Sequence, residues 1–112
     1  LEERFEDSLV MFERFLEDYP DSPLSASVVI AKGNAYEGLG EIKKAARAYL
    51  NSFQLYGDSP FAPEALTLLG NALVSLEQTD AGCQTLAQVL MRFPDSDYSF
   101  EAEKMMSELQ CP

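Results

Sequence analysis

One short string recurs three times along this chain at a single spacing. Tyr19-Pro20-Asp21-Ser22-Pro23, Tyr56-Gly57-Asp58-Ser59-Pro60 and Phe93-Pro94-Asp95-Ser96-Asp97 follow one another at an offset of 37 residues. A second string, Gly33-Asn34-Ala35, returns as Gly70-Asn71-Ala72 at the same offset. Two unrelated strings in one register mark an internal repeat. A period of that length restricts the chain to a stack of like units, none of which buries its apolar face alone.

The repeated string reads as a helix–turn–helix junction. Its aromatic closes one helix, and the adjoining Pro or Gly stops that helix from continuing. The Asp-Ser pair offers side-chain oxygens to cap the next helix, and Pro23 and Pro60 suit that helix's first turn. Between junctions the apolar residues follow helical spacing. Ile42, Ala45, Ala46, Tyr49, Leu50, Phe53 and Tyr56 form one stripe, as do Ala65, Leu69, Ala72, Leu73 and Leu76. Cys83, Leu86, Ala87, Leu90 and Phe93 form a third, and Phe5, Leu9, Phe12, Leu16 and Tyr19 a fourth. The aromatics Tyr36, Tyr49, Phe53 and Tyr56 match the buried stripe and are read as core rather than as a ligand stack. No stretch alternates as a strand does.

The spacing predicts helices over 2–19, 23–38, 41–56, 61–77, 80–93 and 97–110. Gly40 bends the first full hairpin, and Gln78-Thr79-Asp80 bends the second. The expected organisation is one all-α domain: a half repeat at 1–20, repeats at 21–57 and 58–94, and a capping helix at 95–112. The chain opens at Leu1 in what reads as mid-helix, as an excised or processed fragment would.

The chain carries 19 acids against 8 bases, a formal net charge of −11. Such a balance repels a phosphate backbone and an anionic bilayer, so neither nucleic acid nor membrane insertion is expected. It steers a basic protein partner inward, or else serves only solubility. There is no histidine, which removes Ser-His-Asp and Cys-His arrangements and most zinc sites. The six glycines are scattered rather than gathered in a phosphate loop. Acidic pairs such as Glu2-Glu3 lack calcium-loop spacing and read as a solvated helix face. No catalytic residue, cofactor or metal is expected.

Cys83 and Cys111 lie on consecutive antiparallel helices at comparable distances from the Asp95–Asp97 turn. At about 1.5 Å rise per residue they stand level to within about one helical turn. A disulfide clamping the last helix is therefore feasible; the alternative is a buried thiol at Cys83 with a free Cys111 in a frayed end.

At these residues the sequence resembles the tetratricopeptide (TPR) family. The middle repeat matches its pattern at Gly33, Tyr36, Gly40, Ala45, Tyr49 and Ser52, and the next at Gly70, Leu73, Leu86 and Pro94. Glu77 and Gly82 depart from it, so the second hairpin is expected to pack less regularly. The resemblance implies a short right-handed solenoid that binds proteins in a concave groove. Carried across, its groove positions fall at Ser27, Ile30, Asn34 and Glu37, then at Glu64, Thr67, Asn71, Val74 and Ser75, and on the last helix at Glu101, Lys104 and Glu108. Asn34 and Asn71 would stand side by side, either as an amide ladder that grips a peptide or as residues that merely tolerate a solvated helix position. With Ile30 where a cation is needed, a carboxylate clamp is not expected.

A narrower resemblance lies in the run Phe12-Glu13-Arg14-Phe15-Leu16-Glu17-Asp18-Tyr19-Pro20-Asp21-Ser22-Pro23 and in the long repeats. Both are similar to the C-terminal domain of the YbgF/CpoB proteins of the Tol-Pal system. That implies a periplasmic location, binding to TolA, a part in coordinating envelope constriction during cell division, and oligomerisation through an N-terminal coiled coil not in this sequence. A periplasmic location also favours the Cys83–Cys111 bridge. The junction is shared with other periplasmic TPR proteins such as the YfiO outer-membrane assembly lipoprotein, and a scaffold or oligomerisation role of that kind is the alternative.

Overall fold

In the computed structural model, residues 2–112 are described, and they form six α-helices joined by short turns. These are α1 (Glu2–Asp18), α2 (Ser25–Gly38), α3 (Ile42–Leu55), α4 (Ala62–Ser75), α5 (Thr79–Arg92) and α6 (Asp97–Leu109). Each helix packs on the next along the chain, and α6 also reaches back to α4. The result is an elongated stack of hairpins, 41 × 28 × 18 Å. It is an all-α tandem helical repeat, α2–α3 and α4–α5 being successive units flanked by α1 and α6.

The 37-residue period reappears bond for bond at the junctions. Ser22, Ser59 and Ser96 each donate their backbone N–H to the carbonyl of the string's aromatic, Tyr19, Tyr56 or Phe93. The hydroxyl oxygen of each of these serines accepts the N–H two residues on, from Leu24, Phe61 or Tyr98, at 3.0–3.1 Å. That bond is a short local turn of the kind serine favours, and it changes the capping expectation. In α6 it caps the helix, with Ser96 at the N-cap position. In α2 and α4 the turn runs two residues longer, so Leu24 and Phe61 occupy the N-cap positions without side-chain caps. Pro23 and Pro60 consequently lie outside the helices. It is Pro63 that sits in the first turn of α4.

The core runs through the stack along the stripes read from sequence. Ala45, Tyr49, Ala65, Ala72, Leu86, Val89 and Ala102 are buried. Gly33 faces Tyr49 so closely that a Cβ there would lie 2.5 Å from the ring, and Gly70 meets Leu86 in the same way at 2.8 Å. These pairs are equivalent across the repeat, a missing side chain on the first helix admitting a large one from the second. The α1 stripe behaves differently: Phe5, Leu9, Phe12 and Leu16 are half-buried, and no residue of α1 is fully buried. Phe12 stands where Tyr49 and Leu86 stand in the repeats, but α1 has a helix on one side only.

The second hairpin does not loosen at Glu77 and Gly82 as its departures suggested. In the first hairpin the Glu41 N–H reaches the Tyr36 carbonyl, and in the second the Gln78 N–H reaches that of Leu73, both at 2.9 Å. Glu77 achieves this by taking the left-handed conformation, φ 64°, that Gly40 takes at φ 76°. Gly82 replaces the Ala45 of the first hairpin, and its bare Cα lets Val74 approach: an added Cβ would lie 2.6 Å from Val74 Cγ2. Cys83 and Cys111 are joined as a disulfide with Cα atoms 5.6 Å apart. It ties the residues just beyond α6 to the start of α5.

Candidate partner-binding face

The first helices of the units, α2 and α4, together with α6, carry the groove positions expected from sequence. Asn34, Asn71, Ser75, Glu101, Lys104 and Glu108 are exposed. Ser27, Glu37, Glu64 and Val74 are half-buried, Val74 because it packs on Gly82. Ile30 and Thr67 do not belong on this face. Ile30 is 3% exposed and part of the central core with Tyr49 and Ala65. Thr67 is 2% exposed, and its hydroxyl donates to the Pro63 carbonyl at 2.8 Å. The reason is steric: α2 is packed by α1 and α3, and α4 by α3, α5 and α6. Each helix therefore keeps only a narrow open arc, and the position one turn before each Asn already lies beneath its neighbours.

The remaining residues form an acidic face beside two phenols, the buried Tyr49 and the half-buried Tyr98. Tyr49, fully buried, donates its hydroxyl to Asn34 Oδ1 at 2.7 Å. Burial raises the pKa of that hydroxyl well above its ordinary value, and the carboxylates of Glu37 and Glu64 raise it further. The Tyr98 hydroxyl is raised in the same way, by burial first and then by Glu64, with Glu101 and Asp97 adding to it. Glu64 thus acts on both phenols, so Glu37 of α2, Glu64 of α4 and Glu101 of α6 follow one another across the stack. A negatively charged neighbour disfavours a phenolate, and both tyrosines stay protonated donors at neutral pH.

This geometry breaks the symmetry of the expected amide ladder. The residue equivalent to Tyr49 in the next unit is Leu86, which has no hydroxyl, so Asn71 has no such bond. Asn34 is oriented by this bond with its amide nitrogen left for a partner, whereas among the described residues the Asn71 side chain makes no hydrogen bond. Sequence reading placed Tyr49 in the core but missed its bond to Asn34, and it missed Tyr98 altogether. The spacing of 15 residues between Asn34 and Tyr49, against Asn71 and Leu86, was the available signal.

Among the described residues no group of His, Cys, Asp and Glu is arranged to hold a metal ion, and no helix is long and apolar enough to cross a membrane. Residues 64–96, which cover most of α4, all of α5 and the following turn, match the family model for the tetratricopeptide repeat. No curated protein matches the chain. Tetratricopeptide repeats generally mediate protein–protein interaction and are generally non-catalytic.

Proposed function

We propose that this chain is a non-catalytic adaptor whose α2–α4–α6 face receives a basic segment of a partner protein. The observation that carries this reading is the row Glu37, Glu64 and Glu101, one carboxylate from each of α2, α4 and α6, with the oriented Asn34 amide beside it. A basic helix or extended strand lying across the stack would pair its cations with these carboxylates and give Asn34 and Asn71 a backbone to grip. Charge of this kind speeds encounter and selects the partner more than it adds raw affinity.

The particular partner we propose is TolA, with the chain acting in the periplasm in the Tol-Pal system, as YbgF/CpoB proteins do. The junction run at Phe12–Pro23 supports this, and so does the Cys83–Cys111 disulfide, a bond that persists in oxidising compartments. Calorimetric titration with purified periplasmic TolA at low and moderate salt tests it. Saturable binding that weakens with salt, and falls at least tenfold in the Glu37→Gln/Glu64→Gln/Glu101→Gln variant, is the expected result. Binding that is indifferent to those three substitutions would remove the acidic face from the account. Absence of binding at tens of micromolar would remove TolA.

A further inference from the structure

The eight bases of this acidic chain are not spread evenly. Residues 20–56 hold four of them, Lys32, Lys43, Lys44 and Arg47, against three acids, while the rest of the chain holds four bases against sixteen acids. All four line one open recess of about 400 Å³ between α2 and α3, walled by Tyr36 and Asn51. The recess lies away from the face described above. Lys32 and Tyr36 each stand two residues from Asn34, which at 100° per residue is roughly 200° around α2.

The repeat itself does not require this charge. At the same register in the next hairpin, Lys43, Lys44 and Arg47 are replaced by Asp80, Ala81 and Gln84, and Lys32 by Leu69. The packing positions recur while the basic ones do not. Two of the four cations are engaged within the chain. Lys44 lies 3.4 Å from Glu41 and over the Tyr36 ring, 5.8 Å from its centroid. Lys32 lies 3.7 Å from Glu13 of α1, so a carboxylate already sits at the rim of the recess. Among the described residues Lys43 and Arg47 have no ion-pair partner, and both are exposed. They stand at i and i+4 on α3, one turn apart on the same side.

We infer that this recess is a second interaction site, which takes an acidic polypeptide segment bearing two carboxylates one helical turn apart. Lys43 and Arg47 pair those carboxylates, Arg47 through its planar fork, while Tyr36 and Asn51 flank the segment. A polypeptide fits better than an extended polyanion. A duplex or an anionic bilayer would run beyond the recess onto α1 or the part of the chain from residue 58 onward, where the sixteen acids lie. A short segment meets only the recess. With a basic segment on one face and an acidic one on the other, the two sites can be occupied together.

The probe is a capped alanine-based helical peptide carrying two Glu at i,i+4, titrated into the disulfide-intact chain and followed by amide chemical shifts. A peptide with Gln in place of Glu, vesicles with anionic lipid and a short DNA duplex are the comparisons. Saturable shifts confined to Lys32, Tyr36, Lys43, Lys44, Arg47 and Asn51 are expected, together with at least a tenfold loss of affinity in the Lys43→Glu/Arg47→Glu variant. Those exposed substitutions should leave the thermal midpoint within a degree or two, and should leave any binding on the α2–α4–α6 face intact. An equal response to the Gln peptide, shifts on the α2–α4–α6 face instead, no saturable shift at millimolar peptide, or tighter binding of the vesicles or duplex would each overturn the inference.

Discussion

Replacing Glu77 by glycine should stabilise this protein, although it removes a charged surface side chain and touches no packing. Glu77 closes the α4–α5 hairpin at φ 64°, the place where Gly40 closes the α2–α3 hairpin at φ 76°. A left-handed conformation costs an ordinary L-residue roughly 1–2 kcal/mol. Glycine escapes that cost but brings about 0.4–1 kcal/mol of extra backbone entropy to the unfolded chain. The net gain for Glu77→Gly is therefore about 0.5–1 kcal/mol. For a domain of this size that raises the thermal midpoint by about 2–5 °C. The mirror substitution, Gly40→Ala, meets no atom within 4 Å of the new Cβ, so it isolates the same backbone cost with the opposite sign, a loss of about 0.5–1 kcal/mol. Urea denaturation of the two variants beside the parent chain, at fixed slope, measures both. A destabilised Glu77→Gly chain, or a Gly40→Ala chain as stable as the parent, would refute the argument that the two turns share one strained geometry.

Gly33→Ala should cost about 1–3 kcal/mol by overpacking, since the added methyl would lie 2.5 Å from the fully buried Tyr49 ring; a midpoint within experimental error of the parent would contradict that contact. Reducing the disulfide removes a link between residues 28 apart in sequence, and a loop of that length corresponds to at most about 3.5 kcal/mol of chain entropy. A lowered midpoint with loss of α6 amide protection is expected on adding reductant, and an unchanged midpoint would show that packing alone holds α6. Tyr49 binds its proton more tightly folded than unfolded, because burial and then Glu37 raise its pKa above the ordinary value of about 10. Its contribution is fully present below pH 10 and is lost as pH rises beyond it, so stability should fall from about pH 10 upward. The Tyr49→Phe variant, destabilised at neutral pH by the lost bond to Asn34, should show a shallower alkaline decline. An identical decline in both chains would assign it elsewhere, Tyr98 being the next candidate since its pKa moves in the same direction.

The existence of the repeat and the type of every element were legible in the sequence, because both depend on local chemistry. Junction serines at one spacing, helix-stopping Pro and Gly, and apolar residues at three- and four-residue intervals act within a turn or two of where they stand. They fix six helices and the apolar stripes along α1, α3, α4 and α5. The levels of Cys83 and Cys111 followed from rise per residue alone, although only the folded chain shows the two sulfurs joined. Helix starts were less legible. The same Asp-Ser string caps α6 directly but stands two residues too early for α2 and α4.

What the tertiary structure alone decided is which arc of each helix stays open. Ile30 and Thr67 share the spacing of groove residues, yet both are buried, because the crossing of neighbouring helices narrows the arc and the period of a helix carries no information about its neighbours. The same crossing brought the Tyr49 hydroxyl under Asn34 and placed Glu64 between two phenols. It also held Glu77 in a conformation its own side chain disfavours. Lys32, on α2, joined Lys43, Lys44 and Arg47 only when the hairpin closed. The period and the available faces follow from local chemistry; packing chose among those faces, since burial depends on contacts between residues far apart in the chain.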